Sequence, residues 1–393
     1  MNLEAYLKEQ LAERQTAGLM RTRDTFHSPQ KASRLIHNQP CINFSSNDYL
    51  GLANDSRVAK EMMQAIKSHG VGSGASHLTS GHHVSHQALE EALAEFTGRE
   101  SALLFSSGYM ANMGVICALM KKGDAIFHDR LNHVSLLEAG LLSGAQSRRF
   151  PHLDYDTLAR RLNQCEAEKR LVVTDGVFSM DGDQADLSRL SSLCQTHQAW
   201  LMVDDAHGLG VLGQQGAGSA ESFHLSQDEL PILMGTLGKA FGTAGAFVAG
   251  SKQLIETLIQ LSKTYTYTTA MPPSIAQATL VSLGIIQSEP WRRDHLASLM
   301  ERFRTGCQSR GITVMPSVTP IQPLIVGNLE QTVNICETLR RSGCWVSAIR
   351  PPTVPKGTSR IRVTLTAEHQ CADVDTLLVE LEKAMELYHV AAG

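Results

Sequence analysis

The stretch Trp200-Leu-Met-Val-Asp204-Asp205-Ala-His207-Gly208 is an unbroken apolar run that stops at two carboxylates, an imidazole and a glycine. Four apolar residues in a row, without alternation, are what a strand buried on both faces requires. Similar short runs lie on either side, at Ala102–Phe105, Ala125–His128, Leu171–Thr174, Ile232–Met234 and Ala246–Ala249, with helical spacing between them. Strands alternating with helices predict an α/β fold whose sheet is mostly parallel and covered on both faces. In such sheets ligands gather beyond the carboxyl ends of the strands, so the polar loops after these runs are where chemistry is expected.

Outward from this centre, the N-terminal residues 3–20 have a helical pattern, expected to pack through Leu3, Leu7 and Leu11. A β-like Cys41–Phe44 follows, then helices over Val58–His69 and Val84–Phe96 flanking the Gly-rich Gly70–Gly81. After Trp291 the texture changes to a smaller α+β pattern, with strand-like Ile321–Val326, Cys344–Ile349 and Arg360–Thr366 and an amphipathic helix from Val374 to about Tyr388. The expected organisation is a helical arm over 1–44, a large domain over 45–287 and a small C-terminal domain over 288–393.

The 393 residues carry 35 Lys and Arg against 39 Asp and Glu, a net charge of −4 with no basic stripe, which argues against nucleic acid as a partner. Eight scattered cysteines lack metal-ligand spacing and read as reduced thiols of a cytoplasmic protein. Pro231–Gly250 is almost uncharged, but five glycines and a central Lys239 argue against a membrane span. Gly208-Leu-Gly210-Val-Leu-Gly213 matches G-x-G-x-x-G after a strand, as an NAD-dependent oxidoreductase would. No helix pattern follows it, and two aspartates stand where a pyrophosphate would bind. His82, His83 and His86 lack the H-E-x-x-H arrangement, so no metal is expected there. Neither a G-x-S-x-G elbow nor a P-loop is present.

Four loops remain. Ser106-Ser107-Gly108-Tyr109 opens a helical run, where free N–H groups and the dipole favour a phosphate. Asp204 ends a buried strand, where a carboxylate is either an ion-pair partner or a device that keeps a proton on a ligand nitrogen. Asp175-Gly-Val-Phe-Ser179 is a second strand-end polar loop. Thr236-Leu-Gly238-Lys239-Ala-Phe-Gly242 sets one lysine in apolar, Gly-rich chain, where desolvation favours the free amine that forms an imine with a carbonyl. A phosphate cradle, a carboxylate for a ring nitrogen and a lysine for an aldehyde are together the anchors of pyridoxal 5′-phosphate.

These loops, with Phe44-Ser-Ser-Asn47-Asp-Tyr-Leu-Gly-Leu52 and Thr268-Thr-Ala-Met-Pro-Pro273, resemble the signatures of the α-oxoamine synthase family of fold-type I pyridoxal-phosphate enzymes. Arg350-Pro-Pro-Thr353-Val-Pro355, Leu131-Asn-His133-Val-Ser-Leu-Leu-Glu138 and Ile321-Gln-Pro-Leu-Ile-Val326 resemble its biotin-pathway branch. The resemblance implies a seven-stranded sheet, a homodimer, and decarboxylative condensation of L-alanine with a pimeloyl thioester of coenzyme A or acyl carrier protein. Another α-oxoamine synthase activity, such as glycine C-acetyltransferase, is the alternative.

The resemblance also implies roles. Lys239 would hold the cofactor as an imine, Asp204 would face the pyridinium nitrogen, His207 the ring oxygen and His133 the ring face. Ser179 would help hold the ring. Gly108, Tyr109 and Thr236 would bind phosphate, with Thr268 reaching the phosphate of a neighbouring subunit. Arg21 and Thr353 would contact the acyl substrate, while Asn47 and Arg362 would bind the amino-acid carboxylate. The chain departs from the family at Ser76-His77-Leu78, where an Arg is common, and at Asp175, where a Glu is usual.

Overall fold

A computed structural model describes residues 2–36 and 38–388. Its centre is a seven-stranded sheet in the order Ser101–Phe105, Ala246–Gly250, Ile232–Thr236, Trp200–Asp204, Arg170–Asp175, Ala125–Asp129, Gln146–Phe150. Ala246–Gly250 runs antiparallel to both neighbours, and the other pairings are parallel. All six expected strands are present.

The seventh, Gln146–Phe150, has no apolar run because it is an edge strand: only Phe150 is buried, Arg149 is exposed, and Arg148 is half-buried with its guanidinium over the Phe127 ring. Trp200–Asp204 lies mid-sheet. Leu201 and Val203 pack with Leu158, Leu162 and Leu190 on one face, while Met202 joins Val115, Ile116 and Leu136 on the other. Burial on both faces is the physical reason the run does not alternate.

A third cluster joins Phe44, Tyr49, Leu50 and Leu52 to Phe241 and to the C-terminal Phe303, Ile321, Leu377 and Leu381. Here Ile321–Gly327, Ser359–Thr364 and Ser347–Ile349 form an antiparallel sheet. The expected Cys344–Ile349 strand is split: Cys344–Trp345 leaves to pair in parallel with Gln39–Asn43, which pairs in turn with Ser33–Ile36. Among the described residues of the first 44, only Leu3–Thr16 are helical.

That helix corrects one expectation. Asn2 caps it, but none of its residues is buried, and Leu3, Leu7 and Leu11 are 72%, 44% and 55% exposed. It stops at Thr16 rather than 20 because Gly18 adopts φ +66°, turning the chain toward the C-terminal unit, where Arg350 donates to Gly18 O at 3.0 Å and also to Met20 O.

Candidate active site

The carboxyl ends of the parallel strands converge on a cavity of about 190 Å³. Eight of the expected cofactor residues line it: Gly108, Tyr109, His133, Ser179, Asp204, His207, Thr236 and Lys239. Each lies at the end of a strand, in the loop that follows one, or at the start of a helix. Ser107 caps the helix Gly108–Leu119, its Oγ accepting the Met110 N–H, so the first-turn N–H groups of Gly108 and Tyr109 have no partner within the helix. An anion is favoured there.

Lys239 sits in the loop of a hairpin. Leu237 N–H donates to Gly245 O at 2.9 Å and Thr243 N–H returns to Leu237 O at 2.9 Å, closing the turn below it. The lysine Nζ is 2.7 Å from His207 Nε2. Burial lowers the amine from 10.5 to about 8, although Asp204 and Asp175 pull the other way. At neutral pH this multiplies the free-base fraction roughly a few hundred-fold. His207 lies well below the usual imidazole range, chiefly through burial and then through Lys239, and its Nδ1 is 2.5 Å from the Tyr49 hydroxyl.

Asp204 is buried, its Oδ1 accepting Ala206 N–H at 3.1 Å and its Oδ2 accepting Asn112 Nδ2 at 2.8 Å. Asn112, which the sequence reading passed over, also donates to Ser135 Oγ at 2.8 Å. The Ser135 backbone N–H donates to His133 Nδ1 at 3.4 Å, so Nδ1 holds the lone pair, also accepts the Ser135 Oγ–H at 2.7 Å, and leaves the hydrogen on Nε2. Burial lowers the His133 pKa, with Asp204 opposing. Asp175, buried beside Asp204, is pushed well up by desolvation and then by that neighbour, and it accepts the His133 backbone N–H at 2.9 Å.

Arg362 and Asn47 come together across the chain: Nη2 donates to Asn47 Oδ1 at 3.1 Å, Nε to Ser179 O at 2.8 Å and Nη1 to Thr364 Oγ1 at 2.9 Å. These three acceptors around a buried guanidinium are all neutral. The Ser179 loop is braced from behind by His152, whose Nδ1 and Nε2 meet Asp129 at 2.9 Å and Asp183 at 2.8 Å, and by the buried Arg360–Asp181 ion pair.

Thr268, Arg21 and Thr353 lie outside the cavity. Thr268 is half-buried and the other two are exposed, with Arg350 holding the chain before Arg21 against the turn that carries Thr353. The G-x-G-x-x-G stretch is turn, not helix, and serves Asp205, whose carboxylate accepts Ser219 N–H at 2.7 Å and Ser219 Oγ–H at 2.5 Å. A Cβ on Gly208 would stand 2.1 Å from Asp205 Oδ1.

The donor set fits pyridoxal 5′-phosphate: unpaired helix N–H groups with Thr236 for the phosphate, Asp204 for the ring nitrogen, and the Lys239 amine opposite. Fold and site define a fold-type I pyridoxal-phosphate-dependent transferase. Residues 39–381 match the family model for aminotransferase class I and II. The chain is 51% identical over 387 residues to an 8-amino-7-oxononanoate synthase of Saccharophagus degradans, covering 98% of each. It is 56% identical to one of Alcanivorax borkumensis, covering 95% of this chain and 97% of that one.

Among solved structures it resembles a serine palmitoyltransferase from S. paucimobilis with bound PLP (TM-score 0.94, 28% identity, 100% of both chains). It also resembles the 8-amino-7-oxononanoate synthase of Francisella tularensis (TM-score 0.78, 29% identity, 89% of this chain and 99% of that one). The chain belongs to the 8-amino-7-oxononanoate synthase family of pyridoxal-phosphate-dependent acyltransferases.

Proposed function

We propose that this protein condenses L-alanine with a pimeloyl thioester, giving 8-amino-7-oxononanoate, CO2 and the free thiol, as a cytoplasmic homodimer. The observation that carries this reading is the meeting of Lys239, His207 and Asp204 in one cavity with the Arg362–Asn47 pair nearby. Pyridoxal 5′-phosphate, when bound, supplies an electron sink for negative charge at the α-carbon of the amino acid.

The residues divide the remaining work. Gly108, Tyr109 and Thr236 bind the phosphate, and Asp204, fixed by Asn112 and the Ala206 N–H, favours a cationic ring nitrogen by opposite charge. Arg362 and Asn47 orient the alanine carboxylate, with Ser179 O holding the guanidinium in place. The Lys239 amine, lowered in pKa by burial, takes the α-proton and holds it at Nζ. His133 presents its Nε2–H as a donor toward the reacting carboxylate or acyl oxygen. His207, kept neutral, holds the ring oxygen.

The test is thiol release and product mass with L-alanine and pimeloyl-CoA or pimeloyl-acyl carrier protein, run beside glycine with acetyl-CoA. The proposal predicts the C9 amino-ketone from alanine. Turnover with glycine and acetyl-CoA, and none with alanine and either pimeloyl thioester, overturns it.

A further inference from the structure

Outside the active-site cavity, three histidines converge where the Gly-rich loop enters the helix Val84–Thr97. His77 opens the five-residue π-turn His77–Gly81, His82 follows it, and His86 lies in the first turn of the helix. One ring nitrogen from each lies within 4.8 Å of the others. The ring centroids are 5.2 Å (His77–His82), 5.0 Å (His77–His86) and 5.7 Å (His82–His86) apart. His77 Nδ1 and His82 Nδ1 are 2.9 Å from each other. Three imidazoles bound to one tetrahedral ion at ~2.0–2.1 Å place their donor nitrogens roughly 3.3 Å apart, so these rings already surround a common point.

We propose that His77, His82 and His86 bind one divalent transition-metal ion of the zinc class, with the fourth position left to water. The spacing hid this from sequence reading: His82 and His86 are only a pair at i and i+4, and the third donor is supplied by the π-turn.

The surroundings match what such a site needs. The His86 Nε2 is 2.7 Å from Met271 O, which can only accept, so Nε2 carries the hydrogen and Nδ1 holds the lone pair. A backbone carbonyl on the far nitrogen is the usual second partner of a metal-bound histidine. In the metal-free chain that Nδ1 accepts the His83 backbone N–H at 2.9 Å, and the ion would replace this one capping bond. The His77 ring is held flat against Tyr265, centroids 5.0 Å apart and planes 13° apart.

Burial lowers His77 to about 3 and also lowers His86, so both are neutral at pH 7, as ligands must be. A groove of about 680 Å³ opens beside His77 and His82, and its five glutamates, Glu90, Glu91, Glu95, Glu100 and Glu256, outnumber the single Arg99. That excess favours cation entry. Imidazole donors select zinc, copper or nickel over magnesium or calcium.

The experiment titrates holoenzyme, stripped of adventitious metal by chelator and desalting, with Zn2+ by calorimetry and with Co2+ by visible absorption. The expected result is one ion per chain and the intense visible bands of tetrahedral Co2+. His82→Ala removes an exposed side chain, and His77→Ala removes the stacked one. Each should weaken binding by at least the ~100-fold that even an outer-shell change can cost. His224→Ala, exposed elsewhere on the surface, should bind like the parent. Absence of binding, unchanged affinity in either cluster variant, or a metal-induced change of the cofactor spectrum that persists in His82→Ala would overturn the assignment.

Discussion

Replacing Arg362 by Gln isolates the proposed anchor for the alanine carboxylate. A guanidinium has five N–H donors. Three are given to Ser179 O, Thr364 Oγ1 and Asn47 Oδ1, and the Tyr49 hydroxyl is a fourth partner, which leaves one N–H for a carboxylate oxygen. That remaining N–H, together with the fixed positive charge, is what one carboxylate oxygen would meet. A charge-assisted hydrogen bond contributes about 1.5–3 kcal/mol, and the substitution costs about that much. This corresponds to a fall in kcat/KM for alanine of roughly 10- to 150-fold.

The assay is the alanine dependence of thiol release at saturating thioester, with cofactor content measured on the same sample. If the carboxylate is held equally in ground and transition states, the loss falls on KM while kcat is kept. A fully loaded Arg362→Gln enzyme with kcat/KM for alanine within threefold of the parent would refute the reasoning. A parallel fall in cofactor content would instead assign Arg362 to the packing of the Ser179 loop.

Three further outcomes are expected. Borohydride reduction of the holoenzyme followed by peptide mapping should place the label on Lys239, and Lys239→Ala should abolish turnover; a label on any other lysine removes the basis of the mechanism. His152 is raised to about 9 because hydrogen bonds to Asp129 and Asp183 outweigh its burial. A folded pKa above the unfolded 6.5 means stability that is complete below about 6.5 and lost as pH climbs through 9. After discounting for solvent screening, His152→Gln should cost about 2 kcal/mol at pH 6 and almost nothing at pH 10 in denaturant melts. Gly208→Ala should lower stability by about 1–3 kcal/mol because its Cβ would collide with Asp205, and an unchanged denaturation midpoint contradicts that packing.

The strands that carry Asp175, Asp204 and Thr236 were legible because burial on both faces removes polar residues from them, and the loops beyond them stood out by contrast. Gln146–Phe150 was not, since an edge strand tolerates the arginines that disguise it. Asn112 was hidden for a different reason. A polar residue inside an otherwise apolar helix has no local signature, and its meaning comes from Asp204 and Ser135 reached through tertiary packing. Arg362 and Asn47 are 315 positions apart, and their pairing came through the family motifs rather than through any local pattern. Leu3, Leu7 and Leu11 misled because helical spacing of leucines indicates a face to be covered without indicating that this chain covers it.

The one strand that runs against the rest of the sheet has a dynamic consequence. Because Ala246–Gly250 returns directly beside Ile232–Thr236, the segment bearing Lys239 is anchored to the sheet on both sides instead of swinging at the end of a long crossover. The Lys239 side chain then has only its own four-carbon stem to move with. In the proposed role of base, its amine therefore stays at a local concentration far above any free amine in solution.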